Sequence, residues 1–158
     1  MTWRRDCEDA EATRAAGDAF ARLLVPGDVV LLTGPLGAGK TTFVQGVARG
    51  LGVSERVTSP TFTMVHEHAC HNALGVTTLQ HADLYRIQGV DEAIDLALGE
   101  LVEEDAVALV EWGELAAPVF GRDVLTIAFE VTDDDRRRLR VGGAAAAGRA
   151  AALEAWAR

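Results

Sequence analysis

The chain has 158 residues, the length of one ordinary domain, and 49% of them are hydrophobic. Its formal net charge is −9, so no overall positive field attracts a nucleic-acid backbone, which argues against a free-standing nucleic-acid-binding protein. The apolar runs are far shorter than the roughly 20 residues of a membrane span. The acidic N-terminus lacks the pattern of a secretory signal, and we therefore expect a cytoplasmic protein without a membrane partner.

The lone lysine and the two cysteines each say something about the function of the chain. Lys40 is the only lysine among the 15 basic residues, although surface positions usually accept either Lys or Arg. This bias indicates that position 40 requires an ammonium group. Cys7 and Cys70 are too few for a disulfide scaffold, and we interpret both as ordinary thiols.

The first third of the chain predicts a helix, a strand, a loop and a second helix. Apolar residues at helical spacing predict a helix over 10–24, which the Pro-Gly pair at 26–27 ends. The continuous apolar run at 29–33 is typical of a strand buried on both faces in a parallel sheet. A glycine-rich stretch follows at 34–39, and helical spacing resumes over 40–51.

The middle of the chain predicts two more strands, a helix and a further buried strand. Loose alternation of apolar and polar residues predicts strands over 61–68 and 76–82. Asp91 is predicted to cap a helix ending near residue 101. Three apolar side chains share one face of this helix: Ile94, Leu98 and Leu101. The apolar run at 106–110 predicts a strand with Glu111 at its end.

The last third of the chain predicts an antiparallel hairpin and a tail. Strands over 124–131 and 137–141 flank an acidic turn, and we expect them to close one edge of the sheet. Residues 142–158 are Ala-rich and low in complexity, which is typical of a marginal helix or a frayed end. The sequence therefore predicts an α/β domain over 1–141, with a mostly parallel central sheet flanked by helices, followed by this tail.

The glycine-rich stretch satisfies the phosphate-binding pattern G-x-x-x-x-G-K-[ST] between a predicted strand and a predicted helix. Its members are Gly34, Pro35, Leu36, Gly37, Ala38, Gly39, Lys40 and Thr41. Glycines allow backbone N–H groups to turn toward phosphate oxygens, and the helix N-terminus adds its positive dipole end. We expect Lys40 to neutralise the β and γ phosphates and the Thr41 hydroxyl to ligate magnesium. The alternative, a glycine-rich turn with an incidental Lys, does not explain the flanking elements.

Two carboxylates follow predicted strands and are candidates to complete a magnesium site. A P-loop enzyme needs an acid at the end of a neighbouring strand to hold the metal from the side opposite the Thr hydroxyl. Glu111 and Asp83 both fit this requirement. The alternative for either is a solvated acid, since the chain has 24 acidic residues. The pattern alone does not divide their roles.

One absent motif and two groups of polar residues limit the functions that the sequence allows. The guanine-binding pattern Asn-Lys-x-Asp is absent, because the only Asn, Asn72, precedes Ala73, and this excludes an ordinary GTPase. The arginines at 136–138 and 140 are interpreted as a solvated edge strand that resists sheet extension rather than as a phosphate-clamping lid. Four histidines lack the spacing H-E-x-x-H and are interpreted as surface or core residues: His66, His68, His71 and His81.

Three short motifs, in this order and at these intervals, resemble the bacterial TsaE family. They are Ser59-Pro60-Thr61-Phe62, Asp83-Leu84-Tyr85-Arg86 and Glu111-Trp112-Gly113-Glu114. Thr13 and Gly17 also fit the family, and the resemblance covers about residues 10 to 140. The family is the small P-loop ATPase of the machinery that makes threonylcarbamoyl-adenosine in tRNA.

This resemblance implies a set of site residues. Thr61 would approach the γ-phosphate or its attacking water in a switch-like loop, while Asp83 and Glu111 would serve magnesium and water activation. With Lys40, these form the implied catalytic set. The implied ATP-binding residues are those of the loop from Gly34 to Thr41 together with Thr42, Thr13 and Trp112. Pro35 departs from the family pattern, which usually has Asp at this position.

The resemblance also implies partners and a role. The chain would bind the TsaD and TsaB pair, use its ATP cycle to reset that complex, and meet tRNA only through these partners. Two other functions remain open from the residues alone. A small-molecule kinase needs an acceptor pocket and a closing lid, and a non-catalytic nucleotide-dependent binding module needs only the phosphate site.

Overall fold

The computed structural model describes residues 1–60, 64–95 and 98–158, apart from the side chain of Asp95. Within these ranges the strands are β1 (Trp3–Cys7), β2 (Val29–Thr33), β3 (Val65–Ala69), β4 (Thr78–Asp83), β5 (Ala106–Glu111), β6 (Leu125–Val131) and β7 (Arg137–Gly142). The α-helices are α1 (Ala10–Ala21), α2 (Lys40–Gly50), α3 (Val90–Asp95) and α4 (Ala150–Trp156).

The strands form a single sheet in the order β1-β7-β6-β2-β5-β4-β3. The central strands β6, β2, β5 and β4 are parallel, whereas β7, β1 and β3 pair antiparallel with their neighbours. All residues of β5 and the first four of β2 are buried, which explains their continuous apolar sequences. The predicted α/β class, with a parallel centre and an antiparallel C-terminal hairpin, is confirmed.

Helices α1 and α2 pack closely against each other because glycines lie at their contact. A Cβ atom added to Gly46 would lie 1.9 Å from the carbonyl oxygen of Arg14, and one added to Gly17 would lie 2.2 Å from that of Phe43. Beneath this contact, the Phe43 ring packs at 5.5 Å from Phe20 and at 5.6 Å from Phe129 of β6. The helix that begins at the glycine-rich loop is thereby fixed to the sheet.

The C-terminal tail belongs to the core. The sequence leaves a marginal helix or a frayed end open, and the structure has a 3-10 turn followed by α4. Leu153 and Trp156 of α4 are buried, and the Trp156 indole donates a hydrogen bond to the carbonyl of Ala16 at 2.9 Å. These two buried side chains therefore fix a helix that the Ala-rich composition alone does not define.

The prediction that the β6–β7 hairpin closes the sheet edge is wrong. β1 pairs antiparallel with β7 along its whole length and forms the edge instead. The arginines of β7 therefore do not form an edge strand: Arg138 makes an ion pair with Asp6 of β1 at 2.8 Å. Pattern reasoning missed β1 because charged residues separate its two buried side chains, Trp3 and Cys7.

The predicted helix after Asp91 is also corrected. α3 begins at Val90, so Asp91 lies within the helix rather than at its cap, and a 3-10 turn occupies Leu98–Leu101. Ile94 is exposed whereas Leu98 is buried, so these side chains do not share one buried face. In the parts of the chain that the structure describes, no helix combines the length and apolar character of a membrane span.

Candidate functional site

The glycine-rich loop connects β2 to α2 and owes its path to backbone conformations that favour glycine. Gly34, Gly37 and Gly39 have φ values of 140°, 78° and 99°. Gly39 stands at the start of α2, and Gly34 packs so close to β6 that an added Cβ would lie 2.7 Å from the Phe129 carbonyl oxygen. The helix N-terminus and the turned loop together form an arrangement suited to phosphate.

Lys40 is held beneath this loop. Its ammonium group donates hydrogen bonds to the carbonyls of Gly34 at 2.5 Å and Pro35 at 3.1 Å. The Nζ atom also lies 3.9 Å from the centroid of the Trp112 ring, within cation–π range. Burial lowers the pKa of Lys40, and the nearby carboxylates, Glu111 first among them, act in the opposite direction. The Lys40 ammonium group is thus held between the loop carbonyls and the Trp112 ring.

Glu111 joins α2 to the sheet at the end of β5. Its carboxylate is 3% exposed and accepts a hydrogen bond from the Thr41 hydroxyl, which lies 2.9 Å from both carboxylate oxygens. The parallel pairing of Leu32 with Glu111 brings the acid directly beside the end of the loop strand. A Thr hydroxyl and a carboxylate in contact are hard oxygen donors of the kind that Mg²⁺ accepts.

Asp83 lies beside Glu111 because β4 and β5 are parallel and pair these two residues. One carboxylate oxygen of Asp83 accepts a hydrogen bond from the Ser59 hydroxyl at 2.8 Å, and the other accepts one from the Tyr85 backbone N–H at 3.0 Å. Asp83 therefore contacts the segment that leads into residues 61–63, whereas Glu111 contacts the P-loop helix. The two acids face the same pocket with different partners.

A cavity of about 430 Å³ collects most of the predicted site residues, a volume within the usual range for small-molecule sites. Its lining includes Leu36, Gly37, Ala38, Gly39, Lys40, Thr41, Thr42, Asp83, Glu111 and Trp112. Ser59 and Arg86 also line it. Gly34 and Pro35 contribute their carbonyls to Lys40, and Thr13 lines a smaller adjoining cavity instead. Thr61 lies outside the described residues.

Trp112 occupies a strained backbone position at this cavity. Its φ and ψ of 59° and 36° fall in the left-handed region, which costs a residue other than glycine about 1–2 kcal/mol. The ring lies against Lys40, with the Tyr85 ring centroid 5.2 Å from its own. Strain of this kind persists where surrounding contacts fix the residue, and it concentrates at functional sites.

His81 is the functional-site residue that sequence reasoning missed. It is fully buried on β4, and its Nε2 lies 2.5 Å from the Glu111 carboxylate. Its Nδ1 is buried without a hydrogen-bond partner among the described residues. The side-chain alternation of a strand was the available signal, since positions 81 and 83 share one face of β4. The interpretation of His81 as an ordinary surface or core histidine is right about its burial, but it did not predict this contact with Glu111.

The remaining histidines lie elsewhere. His68 is buried, with Nδ1 2.6 Å from the Glu55 carboxylate, and its ring packs 6.1 Å from that of His66. His71 is exposed in the segment between β3 and β4. In residues 1–60, 64–95 and 98–158, no group of three or more His, Cys, Asp or Glu side chains is arranged to hold a metal ion. Both cysteines are free and buried, and burial raises the pKa of Cys70 to about 11.

The parallel strands and the loop between β2 and α2 define the fold class of this protein as that of P-loop α/β proteins. Its fold is similar to that of Bacillus subtilis YdiB, whose crystal structure superposes with a TM-score of 0.75 at 31% identity. That comparison covers 100% of this chain and 95% of the other.

Sequence comparison gives the family. The profile described as "Threonylcarbamoyl adenosine biosynthesis protein TsaE" matches residues 7–139, and the chain belongs to this family. Three similar proteins carry the name "tRNA threonylcarbamoyladenosine biosynthesis protein TsaE". The one from Treponema pallidum is 40% identical over 84% of this chain and 94% of its own length. The Bacillus subtilis relative is 40% identical over 88% and 83% of the two chains, and that of Streptomyces coelicolor 43% over 81% and 77%.

Proposed function

We propose that this protein binds and slowly hydrolyses ATP with Mg²⁺, as a subunit of the machinery that makes threonylcarbamoyladenosine in tRNA. The observation that carries the proposal is the contact of Thr41 with Glu111 in the cavity that also holds Lys40 and Asp83. That cavity brings together the glycine-rich loop, an ammonium group and two carboxylates. Membership of the TsaE family supports the pathway assignment.

Each side chain has a distinct part in this proposal. The loop amides and Lys40 bind the phosphates, and Thr41 with Glu111 would hold Mg²⁺. When bound, the metal supplies positive charge that neutralises the phosphate oxygens. Asp83 is the better candidate to orient water, because it already contacts the Ser59 hydroxyl at the start of the loop that contains Thr61. The sequence pattern left the roles of Asp83 and Glu111 open. Their different contacts support assigning Glu111 to the metal and Asp83 to the water.

The coupling role extends the proposal to partners. We expect the chain to bind the TsaD and TsaB pair and to reset that complex between turnovers through its ATP cycle. The family membership and the net charge of −9 support this view, since an acidic protein is suited to meet tRNA through partners rather than directly. Arg86 is the arginine among the residues that line the cavity, and we propose it as the arginine that approaches the phosphates.

Calorimetric titration with ATP and Mg²⁺ tests nucleotide binding. Lys40→Ala should abolish measurable affinity while the fold stays intact, because the variant loses the ammonium group that faces the phosphates. Arg140→Ala is the matched control, since this exposed cation pairs only weakly with Glu130, at 3.4 Å. Equal ATP affinity in Lys40→Ala and the control would remove the P-loop site from the proposal.

A further inference from the structure

Residues 54–60 follow α2 and lead to the cavity of about 430 Å³ without forming a helix or a strand. Ser59, near the end of this 54–60 segment, lines the cavity and donates a hydrogen bond from its hydroxyl to Asp83 at 2.8 Å. A segment outside the helices and strands is not fixed by their backbone ladders. The position of Ser59 therefore depends on contacts that individual side chains make with the segment.

Gln45 of α2 holds the segment from the side of the P-loop helix. Its side-chain amide donates a hydrogen bond to the carbonyl of Val57 at 3.0 Å, and the Val57 side chain is buried in the core. The amide oxygen accepts a hydrogen bond from Arg14 at 3.3 Å, which orients the side chain. Gln45 lies one helical turn after Thr41, on the same face of α2. One helix thus carries both the proposed metal ligand and an anchor for the segment that contains Ser59.

Glu55 anchors the same segment to β3. Its carboxylate lies 2.6 Å from Nδ1 of His68. His68 is buried, and its Nε2 has no hydrogen-bond partner among the described residues, so we place the ring proton on Nδ1, where the carboxylate accepts it. The Glu55 side chain itself is 59% exposed, whereas that of His68 is 5% exposed. A fixed, buried imidazole therefore holds an exposed residue of the segment in place.

We infer that Gln45 and Glu55 are positioning residues for the proposed reaction: together they hold the 54–60 segment so that the Ser59 hydroxyl stays hydrogen-bonded to Asp83. The inference rests on the proposed function, in which Asp83 orients the attacking water. The anchored positions, 55 and 57, precede Ser59 by four and two residues. Release of either anchor lets Ser59 move away, and a carboxylate without this contact has more rotamers open to it. Small losses of orientation at a reacting group slow the reaction without weakening ligand binding.

The competing explanation is that both contacts only stabilise the fold, and matched variants separate the two. Gln45→Glu keeps the side-chain length and an acceptor oxygen but removes the N–H donor. Glu55→Ala removes the second anchor, whereas Glu55→Gln keeps an oxygen that accepts from His68 and should restore parental behaviour. Gln88→Glu, at an exposed position between β4 and α3, is the control for the first change. Glu67→Ala, at an exposed position of β3, is the control for the second.

Limited digestion with trypsin measures the segment without reference to ATP. Arg56 is exposed and lies between the two anchored residues, so trypsin cleaves after it when the segment opens. Cleavage after Arg136, in the exposed turn of the β6–β7 hairpin, is the internal reference. We expect Gln45→Glu and Glu55→Ala each to raise the ratio of cleavage after Arg56 to cleavage after Arg136 about fivefold, the order that one hydrogen bond contributes. Glu55→Gln and both controls should keep the parental ratio.

Phosphate release at saturating ATP and Mg²⁺, together with calorimetric ATP affinity, measures the effect on the reaction. We expect Gln45→Glu and Glu55→Ala to release phosphate about fivefold more slowly than the parent. Their ATP affinity should stay unchanged, because the glycine-rich loop and Lys40 are intact in both variants. Glu55→Gln and the two controls should match the parent in both measurements.

The outcomes separate the inference from the proposed function. A parental cleavage ratio after Arg56, or a raised ratio with parental phosphate release, would overturn the inference and leave the proposed function standing. A parallel loss of ATP affinity would also overturn it, because the anchors would then act on binding rather than on positioning. Failure of the parent protein to release phosphate would overturn the proposed function and the inference with it. A raised ratio with slower release at unchanged affinity supports both.

Discussion

Glu111 shows how a buried acid at this site is stabilised. Removing a carboxylate from water is costly unless hydrogen bonds replace the lost solvation. Here Thr41 and His81, from α2 and β4, supply those contacts on two sides of the carboxylate. These two contacts fix the orientation of the carboxylate at the wall of the cavity. Asp83, in contrast, accepts its hydrogen bonds from the Ser59 hydroxyl and the Tyr85 backbone N–H, both outside the strands.

Substitution of the two acids should separate their roles. Glu111→Gln and Asp83→Asn keep the side-chain size, and both should suppress phosphate release far more than ATP binding, because the loop amides and Lys40 still hold the phosphates. Glu111→Gln should in addition raise the Mg²⁺ concentration needed for ATP binding. Parental rates of phosphate release in both variants would show that neither acid belongs to the site.

His81 should matter through Glu111. In His81→Ala the carboxylate loses one hydrogen-bond donor and part of its orientation, so we expect phosphate release to fall more than ATP affinity. His81→Gln can present an amide N–H to the same carboxylate and should retain more activity than His81→Ala. Measuring phosphate release and ATP affinity in both variants checks this. Equal activity in the two would indicate that the histidine only fills space.

Among single residues, the sequence identified those that belong to continuous motifs. It missed those whose role depends on contacts with residues far away in the chain. The loop, Asp83 and Glu111 were visible because their spacing to strands is local. The contact of His81 with Glu111 spans 30 positions, and that of Arg137 with Gly37 spans 100. Neither follows from a pattern along the chain. Pairing of β4 with β5 brings His81 to Glu111, and pairing of β6 with both β2 and β7 brings Arg137 to Gly37.

Among the elements, α4 is the one whose contribution to stability is least evident from composition. Trp156 packs its ring 5.7 Å from Phe20, and Arg5 of β1 donates a hydrogen bond to the Trp156 carbonyl at 2.7 Å. Immediately before α4, Arg149 makes a bidentate ion pair with the buried Asp28 at 2.6 Å. The tail therefore joins α1, β1 and the start of β2.

Removing the aromatic anchor of α4 should destabilise the whole fold. We expect Trp156→Ala to lower the free energy of unfolding by about 3–5 kcal/mol, the range for deleting a buried aromatic side chain. Glu154→Ala, an exposed position of the same helix, is the control and should change little. Urea unfolding of both variants measures the difference. A midpoint for Trp156→Ala equal to that of the control would mean that the tail is dispensable.

The elements also show why some predictions from sequence succeed. β2 and β5 were recognisable because strands buried on both faces have continuous apolar sequences. α2 was recognisable from its periodicity and from Gly52, which has a φ of 78° beyond the helix end. α3 was predicted too long because apolar residues at 94, 98 and 101 fit a helical period although a 3-10 turn contains the last two.

For the whole molecule, the order of the parallel strands creates the site. β2, β5 and β4 are parallel neighbours, so the P-loop, Glu111 and Asp83 all lie at the C-terminal ends of these strands, on the same side of the sheet. Crevices outside the carboxyl ends of parallel strands are where α/β proteins bind ligands. The sequence predicted this convergence from three separate strand ends. The smaller cavity lined by Thr13 and Arg137 depends on the antiparallel hairpin, and the sequence did not predict it.

The coupling role is tested most directly by following threonylcarbamoyl-adenosine formation on tRNA by the TsaD and TsaB pair over several turnovers. With this protein and ATP we expect product to accumulate beyond one equivalent of the pair. With Lys40→Ala we expect it to stop near one equivalent, because the nucleotide cycle that resets the complex is lost. Product that continues equally well with Lys40→Ala, or without the protein, would contradict the proposed function and favour the kinase alternative.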